Sequence, residues 1–309
     1  MKLLVLLNEG ARGLAGSDRK EVVARIERAC TEAGVAASVQ CLDAPALLRE
    51  AKEAAMSDAG AIVIGGGDGI VAEAVNAVSS VGHKPIGVLP LGLNNFFARQ
   101  LNVPLKLDDA IAGLARGKIA ELPVAEMSGR IFLAFAAVGL SRERGPMWRR
   151  VIGLEKRHVR VRSRGHTLAT AATTVIVCNS PYPLKSFGLT PAPPPEPGLL
   201  NVYVSQASPS QGFRALLSRL TNGAALNFAT MALPEVRIES GRSRLEVSID
   251  GDVWAMPPPL NCRIRPRPLR VLVPASSPLP GVSAHAARVS SGVEGLELDP
   301  PSPASSQPQ

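Results

Sequence analysis

With 309 residues, 46% of them hydrophobic, the chain is long for one core and has apolar material for two. A formal charge of +8 leaves nucleic acid, anionic membrane and phosphorylated ligands as partners, but with 4% aromatic residues there is little to stack on bases, and nucleic acid is set aside. Cys30, Cys41, Cys178 and Cys262 are scattered without a Cys-x-x-Cys pair, so they read as small buried hydrophobes in a reducing compartment, and no apolar run is long enough to span a bilayer.

In chain order, the apolar stretch 2–7 breaks at Asn8-Glu9 and reads as a first strand and not a signal peptide, so the expected location is cytoplasmic. A Gly-rich loop over 8–16 leads to a helix that Ser17 or Asp18 can cap, with Val22, Val23, Ile26, Cys30 and Ala33 on one face and Gly34 at its end. A second strand follows at 35–41, and Asp43 with Pro45 opens a second helix. The third strand, Ala61-Ile-Val-Ile64, runs into Gly65-Gly-Gly-Asp-Gly69 and then a helix with Val71, Ala74, Val75 and Val78 at helical spacing. Three βα units in a row predict a doubly wound, parallel α/β sheet.

The loop at 65–69 is the most chemically specific stretch. Its glycines let backbone approach a ligand, and the free N–H groups of the following helix turn favour phosphate. Asp68 would repel a polyphosphate unless a divalent cation lies between them or it takes a proton from an attacking hydroxyl; the plainer reading is a helix cap. A Walker A loop is excluded because Ile70 and Val71 follow Gly69, and a dinucleotide fingerprint starting at Gly65 would need glycine at position 70.

A fourth strand at 86–89 ends in Pro90-Leu-Gly-Leu93, so a second loop reaches the same sheet edge as the first. Asn95 is either a ligand hydrogen-bonding residue or a helix cap, and Arg99 either an anion partner or part of a solvated face. Asp108 is expected to cap a helix ending at Gly117. From 119 onward short apolar runs at 119–125, 131–138, 173–178, 199–204, 235–238, 245–249 and 271–273, with a hairpin turn at Ser128-Gly129, predict an antiparallel β-sandwich. The division expected is 1–119, 120–275 and a disordered Ser/Pro-rich tail at 276–309. Within the second part, 142–164 carries nine basic residues against Glu143 and Glu155, interleaved with Met147, Trp148 and Ile152. It is either a patch for an anionic membrane surface or a solvated basic loop.

Three separated segments resemble one family, the diacylglycerol kinase catalytic-domain family, which includes the sphingosine kinases and bacterial soluble lipid kinases. They are Gly66-Gly-Asp-Gly69 with the helix carrying Glu73 and Asn76, Pro90-Leu-Gly-Leu-Asn-Asn-Phe-Phe-Ala-Arg99, and Ile249-Asp-Gly-Asp252 with Val271-Leu-Val-Pro274. The resemblance implies ATP bound between two domains, Mg²⁺, and transfer of the γ-phosphoryl group to a lipid hydroxyl at the membrane. It implies nucleotide contacts at Gly66, Gly67, Asp68, Gly69, Ile70, Val71, Ala72, Leu93 and Asn95, and catalytic carboxylates at Asp252, Asp250 and Asp68. Asp250-Gly-Asp252 can equally be a plain hairpin turn.

The departures are specific. Ile70 and Leu93 stand where the family has threonines, Phe96 replaces an Asp or Asn, and Asp252 replaces a glutamate. Pro197 replaces an aspartate of a metal site, leaving Glu196 as the substitute ligand. These changes motivate a second reading, a catalytically impaired nucleotide- or lipid-binding module of the same fold. An NAD kinase-like enzyme is disfavoured because the second loop lacks an Asn-Glu pair. The lipid and the oligomeric state are left open.

Overall fold

The computed structural model describes residues 2–139, 159–164, 166–179, 199–206 and 229–279. The first part comprises β1 (Lys2–Asn8), α1 (Arg19–Glu32), β2 (Ala36–Leu42), α2 (Ala44–Ala54), β3 (Ala61–Gly66), α3 (Asp68–Val81), β4 (Ile86–Pro90), α4 (Phe96–Gln100), α5 (Leu107–Ala115) and β5 (Lys118–Leu122). It is followed by β6 (Ala125–Met127), β7 (Arg130–Phe132), β8 (Phe135–Val138), β9 (Val159–Ser163), β10 (His166–Cys178), β11 (Leu200–Gln206) and β12 (Ala229–Leu233). The last strands are β13 (Glu235–Glu239), β14 (Leu245–Ile249), β15 (Asp252–Met256), β16 (Leu260–Ile264) and β17 (Leu269–Val273).

Local chemistry sets the helix starts. Asp18 accepts the Lys20 N–H at 2.9 Å to open α1, and Asp43 accepts the Ala46 N–H at 2.7 Å to open α2 with Pro45 in its first turn. Gly34, at φ +70°, ends α1 where a side chain would be strained. Asp108 does not cap α5. Lys106 holds the cap position, and Asp108 in the first turn pairs with Arg25 at 2.8 Å, where a carboxylate still complements the helix dipole.

The first sheet runs β2-β1-β3-β4-β17-β5. All its pairings are parallel except β17 with β5, and β3 is buried at every residue. Two strands expected in the second part therefore belong here. Residues 119–125 split into β5, in this sheet, and β6, in the other, while β17 crosses back to sit between β4 and β5. Val271, Leu272 and Val273 lie in the same core as Ile62, Val63 and Ile86. The start of the expected tail is also held: Ser277 is buried, its carbonyl accepts from the Lys118 ammonium at 3.0 Å, and Leu279 packs on the first core. The remainder, 280–309, lies outside the described residues.

The second sheet is antiparallel, β15-β14-β8-β10-β9-β13-β16-β6-β7, with β11 and β12 branching from β10. The long β10 serves both halves: His166 to Ala172 pairs with β9, and Val175 to Cys178 with β8, with register shifts between. Its inward side chains, among them Val138, Val161, Val177, Val202, Ile238 and Val247, form a second core, as expected for a sandwich.

Candidate active site

β3 and β4 end side by side, Gly66 opposite Pro90, and the loops leaving them meet backbone to backbone. A Cβ at Gly92 would stand 2.5 Å from the Gly67 Cα, so only glycine permits this approach. Asn95 shapes the second loop. Its backbone is left-handed (φ 51°), its Oδ1 accepts the Gly92 N–H at 2.8 Å, and its Nδ2 donates to the Gly92 carbonyl at 3.0 Å. It occupies the cap position of α4 without capping it through its side chain. Leu93 is 71% exposed at the loop tip, and exposed Arg99 donates its Nε–H to the Asn94 carbonyl at 3.0 Å.

Gly67 is the cap residue of α3, and its carbonyl accepts the Val71 N–H at 3.1 Å. The N–H groups of Asp68, Gly69 and Ile70 are those that a helix start leaves without an intrahelical partner. The side chains of Val71 and Ala72 are buried in the first core, whereas the partly buried Ile70 packs against that core and lays its Cγ2 over Gly66, where a Cβ would have to stand. Asp68 ties the two loops together, its Oδ1 accepting the Phe97 N–H at 3.2 Å. Burial pushes its carboxyl up, opposed by the N–H groups of Phe97, Phe96 and Asn95.

Asp250 and Gly251, at φ 49° and 104°, make a two-residue hairpin turn between Ile249 and Asp252, the conformation an Asp-Gly pair favours. The two carboxylates of this turn have separate environments. Asp250 is directed inward, where Oδ2 accepts the Leu133 N–H at 2.7 Å and Oδ1 those of Ala134 and Phe135 at 2.8 and 3.0 Å. Burial, outweighing these bonds, pushes its carboxyl up to about 6, and the nearby Asp68 adds to the shift. Asp252 begins the exposed edge strand β15 and faces the first turn of α3, its Oδ2 lying 3.2 Å from where a Cβ on Gly69 would stand.

Beside Asp252, Arg130 forms an ion pair with Glu73 and lies over the Trp254 ring, 3.7 Å from its centroid. The Asp252 carboxyl is pushed up by desolvation and by the Glu73 carboxylate, with Arg130 opposing. One turn further along α3, Asn76 stands in for a strand neighbour: Nδ2 donates to the Ile131 carbonyl and Oδ1 accepts the Ile131 N–H, both at 2.9 Å. Helix α3 thus carries the glycine loop at its start and clamps the second sheet at its middle.

Arg130 and Trp254 escaped the sequence reading. Trp254 could have been found from the strand period, since it shares a face with Asp252. Arg130 follows a hairpin turn, but its partner lies 57 residues away. Among the described residues no group of three or more His, Cys, Asp or Glu side chains converges on a metal position, and Glu196 lies outside them. Magnesium carried on nucleotide phosphates needs only one or two carboxylates from a protein, so it does not require such a group.

Residues 2–127 match the family model described as diacylglycerol kinase catalytic domain, and residues 146–273 the model described as YegS C-terminal NAD kinase beta sandwich-like domain. A diacylglycerol kinase of Staphylococcus carnosus is 32% identical over 120 residues, 38% of this chain and 38% of that protein. A diacylglycerol kinase of Bacillus subtilis is 32% identical over 125 residues, covering 38% and 39%. A probable YegS-like lipid kinase of Yersinia pestis (strain Pestoides F) is 32% identical over 94 residues, covering 29% and 32%. The matches span less than two fifths of these relatives' length. A crystal structure of a diacylglycerol kinase from Bacillus anthracis Sterne shares the fold, with a TM-score of 0.68 and 21% identity over 88% of this chain and 96% of that one.

Proposed function

Because the chain belongs to the diacylglycerol kinase catalytic-domain family, we propose that it is an ATP-dependent lipid kinase, transferring the γ-phosphoryl group to a diacylglycerol or sphingoid-type hydroxyl at a cytoplasmic membrane face. The observation that carries this reading is Asp252, held by a hairpin of the second sheet against the first turn of α3, where Gly67 and Gly92 clear the backbone. Bound ATP supplies the phosphoryl group and bound Mg²⁺ neutralises its charge; the chain supplies position and a base.

Asp252 is the proton acceptor for the lipid hydroxyl, since a carboxyl pushed up by its surroundings is the better base. Arg130, paired with Glu73 and braced on Trp254, opposes that shift and offers a cation beside the transferring group. The N–H groups of Asp68, Gly69 and Ile70 take the phosphates, the bare Gly67 leaves their approach open, and Leu93 at the tip of the second loop lines the nucleotide pocket. Of the three carboxylates expected in catalysis, only Asp252 is assigned to the chemistry. Asp68, bonded to Phe97, and Asp250, bonded to three N–H groups, are positioning residues.

The surface we infer to meet an anionic membrane is the basic segment 142–164, of which 159–164 lie among the described residues and include β9. No helix among the described residues is long and apolar enough to cross a membrane.

The test is γ-labelled ATP turnover with Mg²⁺ over a panel of lipids in mixed micelles, with Asp252→Ala in parallel. A labelled lipid formed by the wild type and lost in the variant supports the kinase and names its acceptor. The aliphatic Ile70, packed back on the core, favours the second reading, a binding module without turnover. That reading takes over if no labelled lipid forms with Mg²⁺ or Mn²⁺ while vesicles are still bound.

A further inference from the structure

Strands β9, β13, β16 and β6 lie side by side in the second sheet with one face on the core and the other on solvent. Val159, Val161, Val236, Ile238 and Cys262 point inward, so Arg160, Arg162, Arg237, Asn261 and Arg263 point outward. Cross-strand register sorts the outer side chains into rows. In one, Glu235, Arg263 and Glu126 alternate in sign, and the Arg263 Nε donates to Glu126 at 2.8 Å. In another, Arg160 faces Glu239.

The row between them does not alternate. Arg162 stands directly opposite Arg237, and Arg237 opposite Asn261, whose backbone N–H reaches the Ser128 hydroxyl at 3.2 Å. Glu239, from the adjoining row, is shared among Arg160 at 3.9 Å, Arg162 at 3.7 Å and Arg237 at 3.0 Å. Glu239 thus pairs with three guanidinium groups, and Arg237 also donates to the Asn261 Oδ1 at 3.4 Å. Like charges directly opposite on a sheet cost stability, which the neighbouring row avoids by alternating. The row floors a cleft of about 580 Å³, lined by Arg162, Arg164, Arg237 and Arg263 against two carboxylates, Glu126 and Glu235, with Ser128, Gly129 and Asn261 beside them.

We propose that this cleft binds a phosphate group between Arg162 and Arg237, either of a soluble phosphate compound or of an anionic lipid headgroup. Two facing guanidinium forks match phosphate oxygens in geometry and charge. The Ser128 oxygen accepts from Asn261, which leaves its O–H to donate into the cleft. The volume is that of a small-ligand site and exceeds a lone phosphate, leaving room for the group it esterifies. The site is separate from the glycine loops and does not depend on ATP turnover, yet Gly129 on its rim precedes Arg130 of the candidate active site.

The test uses the full chain at matched ionic strength. Pyrophosphate binding is measured by calorimetry, and capture by co-sedimentation with vesicles of phosphatidic acid in phosphatidylcholine against phosphatidylcholine alone. The double variant Arg162→Gln, Arg237→Gln is expected to lose affinity at least about tenfold, whereas Arg242→Gln, an exposed arginine outside the cleft, changes nothing. Pyrophosphate held by the glycine loops survives the double variant, so the difference reports the cleft. Loss in both arms identifies a lipid headgroup, and loss with pyrophosphate alone a soluble ligand. The double variant also removes two pairings of Glu239, so its retention of the fold is checked by circular dichroism. The proposal is overturned if the double variant binds like wild type, if wild type binds neither probe, if Arg242→Gln costs as much, or if binding is lost together with the folded circular dichroism spectrum.

Discussion

Asp250→Ala and Asp252→Ala remove carboxylates two residues apart, with opposite expected consequences. The first leaves the N–H groups of Leu133, Ala134 and Phe135 without their acceptor in a buried turn. At about 1–3 kcal/mol for each orphaned donor, the cost is on the order of 5 kcal/mol, a large share of the stability of any domain. That cost depends on pH. The Asp250 carboxyl is raised from 3.8 to about 6, so between those values the folded protein holds a proton that the unfolded chain has released. Wild-type stability therefore falls as pH rises through that window, by up to about 3 kcal/mol for two units. Asp250→Ala lacks this slope, so the gap between variant and wild type is widest near pH 4 and narrows toward pH 7, to about 2 kcal/mol. Asp252→Ala, on an exposed edge strand, should shift stability by less than about 0.5 kcal/mol while lowering lipid phosphorylation by about 10²–10⁴-fold. Urea unfolding followed by circular dichroism from pH 4 to 7, beside turnover, measures both. Asp250→Ala with wild-type stability and no turnover would refute the reasoning, because it would put Asp250 in the chemistry.

Two glycine substitutions test the loops. Gly92→Ala sets a Cβ 2.5 Å from the Gly67 Cα and should force the loops apart, costing about 1–3 kcal/mol and weakening the binding of a fluorescent ATP analogue; unchanged binding would mean the loops do not hold nucleotide. Gly69→Ala should hold or raise the melting temperature, since alanine favours a helix by up to about 1 kcal/mol. Its Cβ, 3.2 Å from the Asp252 Oδ2, should nonetheless displace the carboxylate and lower turnover more than ATP affinity, and full turnover would contradict the placement of Asp252.

What could be read from the sequence is what depends on near neighbours. The caps at Asp18 and Asp43, the helical spacing of Val71, Ala74, Val75 and Val78, and the turns at Ser128-Gly129 and Asp250-Gly251 are each set within a few residues. Strand β9 was legible in principle, because Val159-Arg-Val-Arg alternates, but it lies within a run of nine basic residues whose charge fits a solvated loop as well as an exposed strand face. The sheet to which β17 belongs was not legible, since Leu269-Arg-Val-Leu-Val273 suits a buried strand of either sheet and its partner Ile86 is distant in the chain. The inward turn of Asp250 was hidden for the same reason: its acceptor role depends on N–H groups 115 to 117 residues earlier.

The crossing of β17 into the first sheet bears on how the protein is made. Strands β1 to β4 are complete by residue 90, yet the neighbour of β4 is residues 269–273, synthesised after every strand of the second sheet. Until then β4 presents an unpaired parallel edge, and β5, which among the described residues pairs only with β17, has no place to dock. Completion of the first sheet on the ribosome waits for the second, and the pairing that completes it spans most of the chain, which is a slow kind of contact to form. A chain released early at residue 268 would lack an interior strand of its first sheet and should be digested by proteases more readily than the full chain.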